Sequence, residues 1–373
     1  MTTRVRLSRR LLLVACGLAL FAAIGPAGER GHIAFYDSHL ESALRLALGV
    51  ADGPLTRQQL ERLTELHAAG AEIVRLDGLE VCTALTVLDL NTNHISDLSP
   101  LAGLVQLQTL ILRSNLVEDV GPLARLVNLH RLDLDFNSVV DVAPLANLRQ
   151  LEFLGLWGSR IRDVAPLGGL TTLTQLGLSA CPIEDPTPLS NLTRLQWLGI
   201  PGTGVRDLGF LRPLINLQRL SLGENGIQDI EPLRGLTSLQ FLGLSENAIR
   251  DISPLAGLVH LRRLSLWKND ITDVSALRGM TALERLWLDM NPVRDVSAVA
   301  GMTSLEVLGL SATQVADLEP LVENAGLAAG DNVDLRGIEL NASEEKPIAA
   351  LAARGVAVQT GALEPSLPPS GAP

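Results

Sequence analysis

The chain has 373 residues, of which 47% are apolar and only 3% aromatic, so it is long enough to build a sizeable core but must build it almost entirely from aliphatic side chains. Its net charge of −11 argues against a nucleic-acid partner. Three cysteines and six histidines, the latter at no metal-ligand spacing, leave little for a disulfide framework or a metal centre.

The N-terminus carries Arg4, Arg6, Arg9 and Arg10 ahead of an apolar run over 11–24. That is a charged region followed by an apolar region of signal-peptide length, too short for the ~20 apolar residues of a membrane span. Gly25 and Ala27 are small residues suited to a cleavage site, so residues 1–27 are expected to be a signal peptide. Cys16 ends a stretch resembling a lipid-attachment box, but too little apolar run precedes it, and it reads as ordinary. Contact with a membrane is expected only through an uncleaved signal or a lipid anchor. Residues 28–84 follow as a helical cap and half-repeat. Asp37 and Thr56 are N-cap residues for helical spacing over 35–49 and 56–70.

From 85 to 321 the sequence matches itself at a shift of 22, in eleven copies without insertion or deletion. Each copy opens L-x-x-L-x-L, so pairs such as Leu88 and Leu90 share one face of a short strand. Aspartate recurs at 97, 119 and every 22nd position through 317, with proline three residues later in eight copies. That is the start of a helical turn, with the aspartate capping free N–H groups. The eleven aspartates equal the excess of 41 acidic over 30 basic residues, so the net charge needs no acidic partner surface. One copy cannot bury its apolar side alone; stacked copies share a core.

These motifs resemble the leucine-rich repeat family, L-x-x-L-x-L-x-x-N-x-I, and most nearly the 22-residue bacterial type of internalins. The resemblance implies an α/β solenoid with a parallel concave sheet, short 3-10 or helical turns on the convex side, a helical N-terminal cap and a strand–helix–strand C-terminal cap. The C-terminal cap falls at 322–360, and residues 361–373 read as a disordered tail. The family's asparagine, which forms a buried hydrogen-bond ladder, stands at 93, 115, 137, 225, 247, 269 and 291; Ser159, Cys181, Thr203 and Thr313 replace it and are expected to weaken the ladder without breaking it. Cys82 and Cys181 lie about 20 Å apart in such a stack, beyond disulfide reach, and read as buried thiols.

The positions between the leucines face solvent on the concave side in this family. All four tryptophans and two of six phenylalanines fall there. The middle column from Gly155 to Ser265 is only glycine or serine, and glycine often marks close approach of another molecule. The pattern describes a trench with aromatic and arginine walls. Phe153, Trp157, Trp197, Arg219, Phe241, Arg263, Trp267, Arg285 and Trp287 are the candidate contact residues, since tryptophan and arginine dominate binding hot spots. The stretch 133–137 imitates a calcium loop but is accounted for by the repeat, and no nucleophile or phosphate-loop motif occurs. The expected function is an exported, non-enzymatic protein, without metal or cofactor, that grips a protein or peptide. A cell-envelope glycan binder, with rings stacked on sugars, is the alternative. Regulation of a phosphatase, as in intracellular relatives, conflicts with the signal peptide.

Overall fold

The computed structural model describes residues 33 to 363, apart from 34 and 341; the signal peptide expected over 1–27 and residues 364–373 of the expected tail lie outside the described residues. Strands recur every 22 residues from β2 (Val87–Asp89) to β12 (Val307–Gly309). Each pairs in parallel with the next at zero register shift, so Leu88 faces Leu110 and Leu286 faces Leu308. The described sheet has fourteen strands in strict chain order. Between strands the chain returns through 3-10 turns, the first spanning Leu79–Val81 and the next Ser99–Leu101. The architecture is a leucine-rich repeat solenoid, with aliphatic side chains such as Leu110, Leu132 and Leu154 fully buried in one continuous core.

The repeat begins earlier than the helical spacing implies. Helix α1 (Ser38–Leu48) forms as expected, capped by Asp37, but the second helix is a single turn, α2 (Arg57–Leu60). Residues beyond it form β1 (Glu65–His67), paired in register with β2. Ala68 and Gly70 stand where the next coil has Leu90 and Thr92, which disguises the strand as helix. Asp37 also joins the cap to the solenoid: one carboxylate oxygen accepts from His39 and Leu40 N–H, the other from Val74 and Arg75 N–H. Burial raises its pKa, and those four N–H groups outweigh burial, leaving it below the usual range. At the far end, β13 (Asn332–Asp334), α4 (Glu345–Ala353) and β14 (Ala357–Gln359) close the core as strand, helix, strand.

All eleven repeat aspartates accept a hydrogen bond from the backbone N–H two residues on, as Asp97 does from Ser99 at 2.8 Å. Each starts its turn from one place before the cap position, as an Asx turn. The asparagine ladder is equally regular. Asn115 Nδ2 donates to Leu90 O in the previous coil and to Leu112 O in its own, while Oδ1 accepts from Ile95 N. Three consecutive copies depart from this. Ser159 Oγ is buried without a partner; Cys181 Sγ donates back to Leu156 O; Thr203 Oγ1 reaches only Ile200 O and Asn225 Oδ1. The ladder is thinned there and interrupted at Ser159. Cys82 and Cys181 are buried free thiols, pushed by burial up to about 12 and about 11.

Removing one rung strands two buried carbonyls and an N–H, each worth about 1–3 kcal/mol. Asn115→Ala is therefore expected to cost about 3 kcal/mol or more, and Ser159→Asn to add about 1 kcal/mol, as measured by urea unfolding. A second expectation concerns pH. Asp185, Asp251, Asp273 and Asp295 lie below the ordinary carboxylate value, held down by hydrogen bonds from the residues two places on, and Asp37 lies below it through Arg75, Val74, Leu40 and His39 N–H. Their stabilisation is complete above the unfolded value near 3.8 and is lost as pH falls through the lower folded values. The urea midpoint should hold from pH 7 to about 5 and fall below about 4; a midpoint that rises on acidification would refute the assignment.

Candidate functional site

The short strands set four outward columns side by side: the residue before the second leucine, the one between the leucines, the one after them, and then a residue in left-handed conformation. That last residue has positive φ in every copy, including Phe136 at 55° and Glu224 at 59°. Left-handed backbone is costly for a bulky side chain, so Phe136 is held there by its contacts. Its ring centroid lies 4.5 Å from that of Trp157, and the Arg113 guanidinium sits 4.6 Å above it. Arg113 also pairs with Asp135 at 2.9 Å, and Asp135 accepts from Trp157 N–H at 2.8 Å. Burial raises the Asp135 carboxyl above its usual range, with the neighbouring Asp133 charge adding to it.

Along the middle of the concave face runs a groove of about 670 Å³. Gly177, Gly199, Ser221, Gly243 and Ser265 form its floor; Trp157, Trp197, Phe241 and Trp267 stand around it; Asp135, Glu224 and Glu246 supply its charge. Trp157 and Trp267 are five strands apart, about 24 Å at the usual strand spacing. The glycines serve the protein's own side chains. A Cβ on Gly177 would come 3.1 Å from Trp197 Cη2, and one on Gly199 would come 3.1 Å from Trp197 Cζ2. A Cβ on Gly155 would lie 2.8 Å from Asp135 Oδ1. The indole of Trp197 thus rests against two floor glycines, where sequence alone assigned that space to another molecule.

The nine candidate residues separate into groups. Trp157, Trp197, Phe241 and Trp267 line the groove. Phe153, Trp197 and Arg219 line a smaller hollow of about 320 Å³ beside it, with Gln175, Gln196 and Gln218. Phe153 carries the Arg131 guanidinium 3.6 Å from its centroid. Arg263 is exposed and Arg285 half-buried in the same column, but neither lines the groove, so the arginines do not form its walls. Trp287 is a correction. Only 4% of it is exposed. Its in-register neighbours Ser265 and Gly309 are small, which leaves the indole room to lie against the sheet. Asp289, one column over, is buried too, and accepts from Ser311 Oγ at 2.6 Å.

Sequence reasoning missed the carboxylates. Glu224 and Glu246 belong to the left-handed column, one residue beyond the three columns read as concave, and that adjacency was the available signal. Glu246 is held by Lys268 at 2.7 Å, whose ammonium lies 5.7 Å from the Trp267 ring centroid. Trp287→Ala should cost about 3–5 kcal/mol as a buried truncation. Trp157→Ala, with 43% of the residue exposed, should cost below about 1 kcal/mol. Paired urea titrations read the contrast, and equal losses would contradict the burial.

No curated protein matches the sequence. A family profile described as leucine-rich repeats (2 copies) matches residues 61–103, 105–147, 215–257 and 259–301. Among solved structures, the internalin InlF of Listeria monocytogenes is similar at 32% identity and a TM-score of 0.70, over 78% of this chain and 94% of that one. The functional domain of InlJ from the same organism has 23% identity and a TM-score of 0.70, over 82% and 66% of the two chains. The Arabidopsis receptor kinase HAESA, solved with the peptide hormone IDA and the co-receptor SERK1, has 20% identity and a TM-score of 0.56, over 75% and 59%. The last two share the fold. With an unbroken 22-residue coil, an asparagine ladder and this likeness to InlF, the chain belongs to the leucine-rich repeat family, in its internalin-like class.

Proposed function

We propose that the protein is an exported, non-catalytic binding protein whose concave groove takes a protein or peptide partner. The groove itself carries this reading: three tryptophans and a phenylalanine bordering an open channel are costly to leave in water, and such a surface is the usual mark of a binding site. Its length of about 24 Å is that of an extended segment of roughly seven residues at about 3.3 Å each. The HAESA structure, with a peptide hormone bound, supports the same use of the fold. Export rests on the arginine-led apolar N-terminus; among the described residues no helix is long and apolar enough to cross a membrane. A glycan is the second reading, favoured by the glutamines 175, 196 and 218 beside the Trp197 ring, since amides and flat rings are groups that sugars engage.

The test is capture from extracytoplasmic fractions by the chain starting at Gly28, beside a folded variant with Trp157, Trp197 and Trp267 changed to Ala. A ligand held by the first and lost by the second is expected, and its identity separates peptide from glycan. Equal capture by both would move the site off the groove. The mass of the native chain recovered from those fractions should correspond to a start at Gly28.

A further inference from the structure

Cations and rings meet repeatedly on this face. Arg113 lies over Phe136, Arg131 over Phe153 and Lys268 beside Trp267. Trp157 is covered by Phe136. Among the described residues, Trp197 and Phe241 carry no such cation, and both line the groove. They stand two strands apart, about 10 Å at the usual spacing. The strand between them carries Ser221 on the floor and leads to Gly223 and Glu224.

Glu224 is the distinctive residue. Asp135 is held by Arg113 and Glu246 by Lys268, whereas Glu224 is exposed and makes no ion pair among the described residues, its charge reaching Lys268 only at longer range. The groove's lining includes these three carboxylates and no lysine or arginine. Arg219, on the same strand as Ser221, lines the hollow on the other side of Trp197, with the glutamines. Across the Trp197 ring, the unpaired Glu224 carboxylate thus lies on the groove side and the Arg219 cation on the other.

Resting on the reading of the groove as a peptide site, we propose that the rung of Ser221, Gly223 and Glu224, between Trp197 and Phe241, is a seat for one lysine or arginine side chain of the bound peptide. The cation takes the open ring faces as Lys268 and Arg113 take theirs, and its charge meets Glu224. Glycine and serine at the floor leave room for a long aliphatic stem. The net charge of −11 favours the approach of such a ligand and makes it salt-dependent.

The experiment uses four capped heptapeptides of glycine and serine with a central Lys, Arg, Leu or Glu. They are titrated against the full chain with the tryptophan indole N–H signals as readout. The Lys and Arg peptides should bind at least tenfold tighter than Leu or Glu, and shift Trp197 while leaving Trp287 still. In Glu224→Gln that preference should fall at least threefold; in Glu118→Gln, which removes an exposed carboxylate outside the groove's lining, it should persist. Leu or Glu peptides that bind as well as Lys, and lose binding in a folded Trp197→Ala variant, would overturn the cation seat and leave the groove as a peptide site. No binding by any peptide, or binding indifferent to Trp197→Ala, would overturn both.

Discussion

A coil of this chain cannot satisfy its own interior. The Leu90 and Leu112 carbonyls point into the buried interior, and the amide of Asn115 reaches both at once, one in the preceding coil and one in its own. Its oxygen then takes the Ile95 N–H. Three backbone groups from two coils depend on one side chain, so neither coil is complete without the next. The 22-residue spacing, the zero-shift register and the flat run of outward columns follow from that dependence. The aspartate turns act at the opposite edge, where the chain reverses over solvent and a carboxylate can stay ionised.

Whatever recurs along the coils was legible in the sequence. Leucine pairs, turn aspartates and ladder asparagines are each a local chemical necessity, written at the position where it acts. What depends on a neighbour in space was not. The β1 strand was masked because Ala68 and Gly70 fill its coil with small residues that spacing alone assigns to a helix. Trp287 looked exposed because its column is outward, yet the small residues on both flanking strands let it sink. The arginines looked like partners of the tryptophans, and Arg219 instead lies on the far side of Trp197 from the groove. Ser159 was expected to serve partly in the ladder, and its hydroxyl reaches nothing.

The concave face also changes what its glycines mean. A missing side chain was read as room for a visitor, but the space under Trp197 is taken by Trp197 itself. The glycines shape the groove indirectly, by letting large rings recline so that their faces look outward. Left-handed residues then bring Glu224 and Glu246 to the groove's other lip. Floor, ring and charge come from different columns, and the coil of Phe241, Gly243 and Glu246 holds all three.

The zero-shift pairing turns the solenoid into a ruler. Because each strand meets only its two neighbours and always in step, a whole unit can be lost or gained without disturbing any other pairing. Doing so between Trp197 and Phe241 would change their separation by a single strand spacing, about 5 Å, and leave every other ring on its bed. The length of the groove is therefore encoded in copy number, and gene duplication or slippage within the repeat can retune it without redesigning any contact.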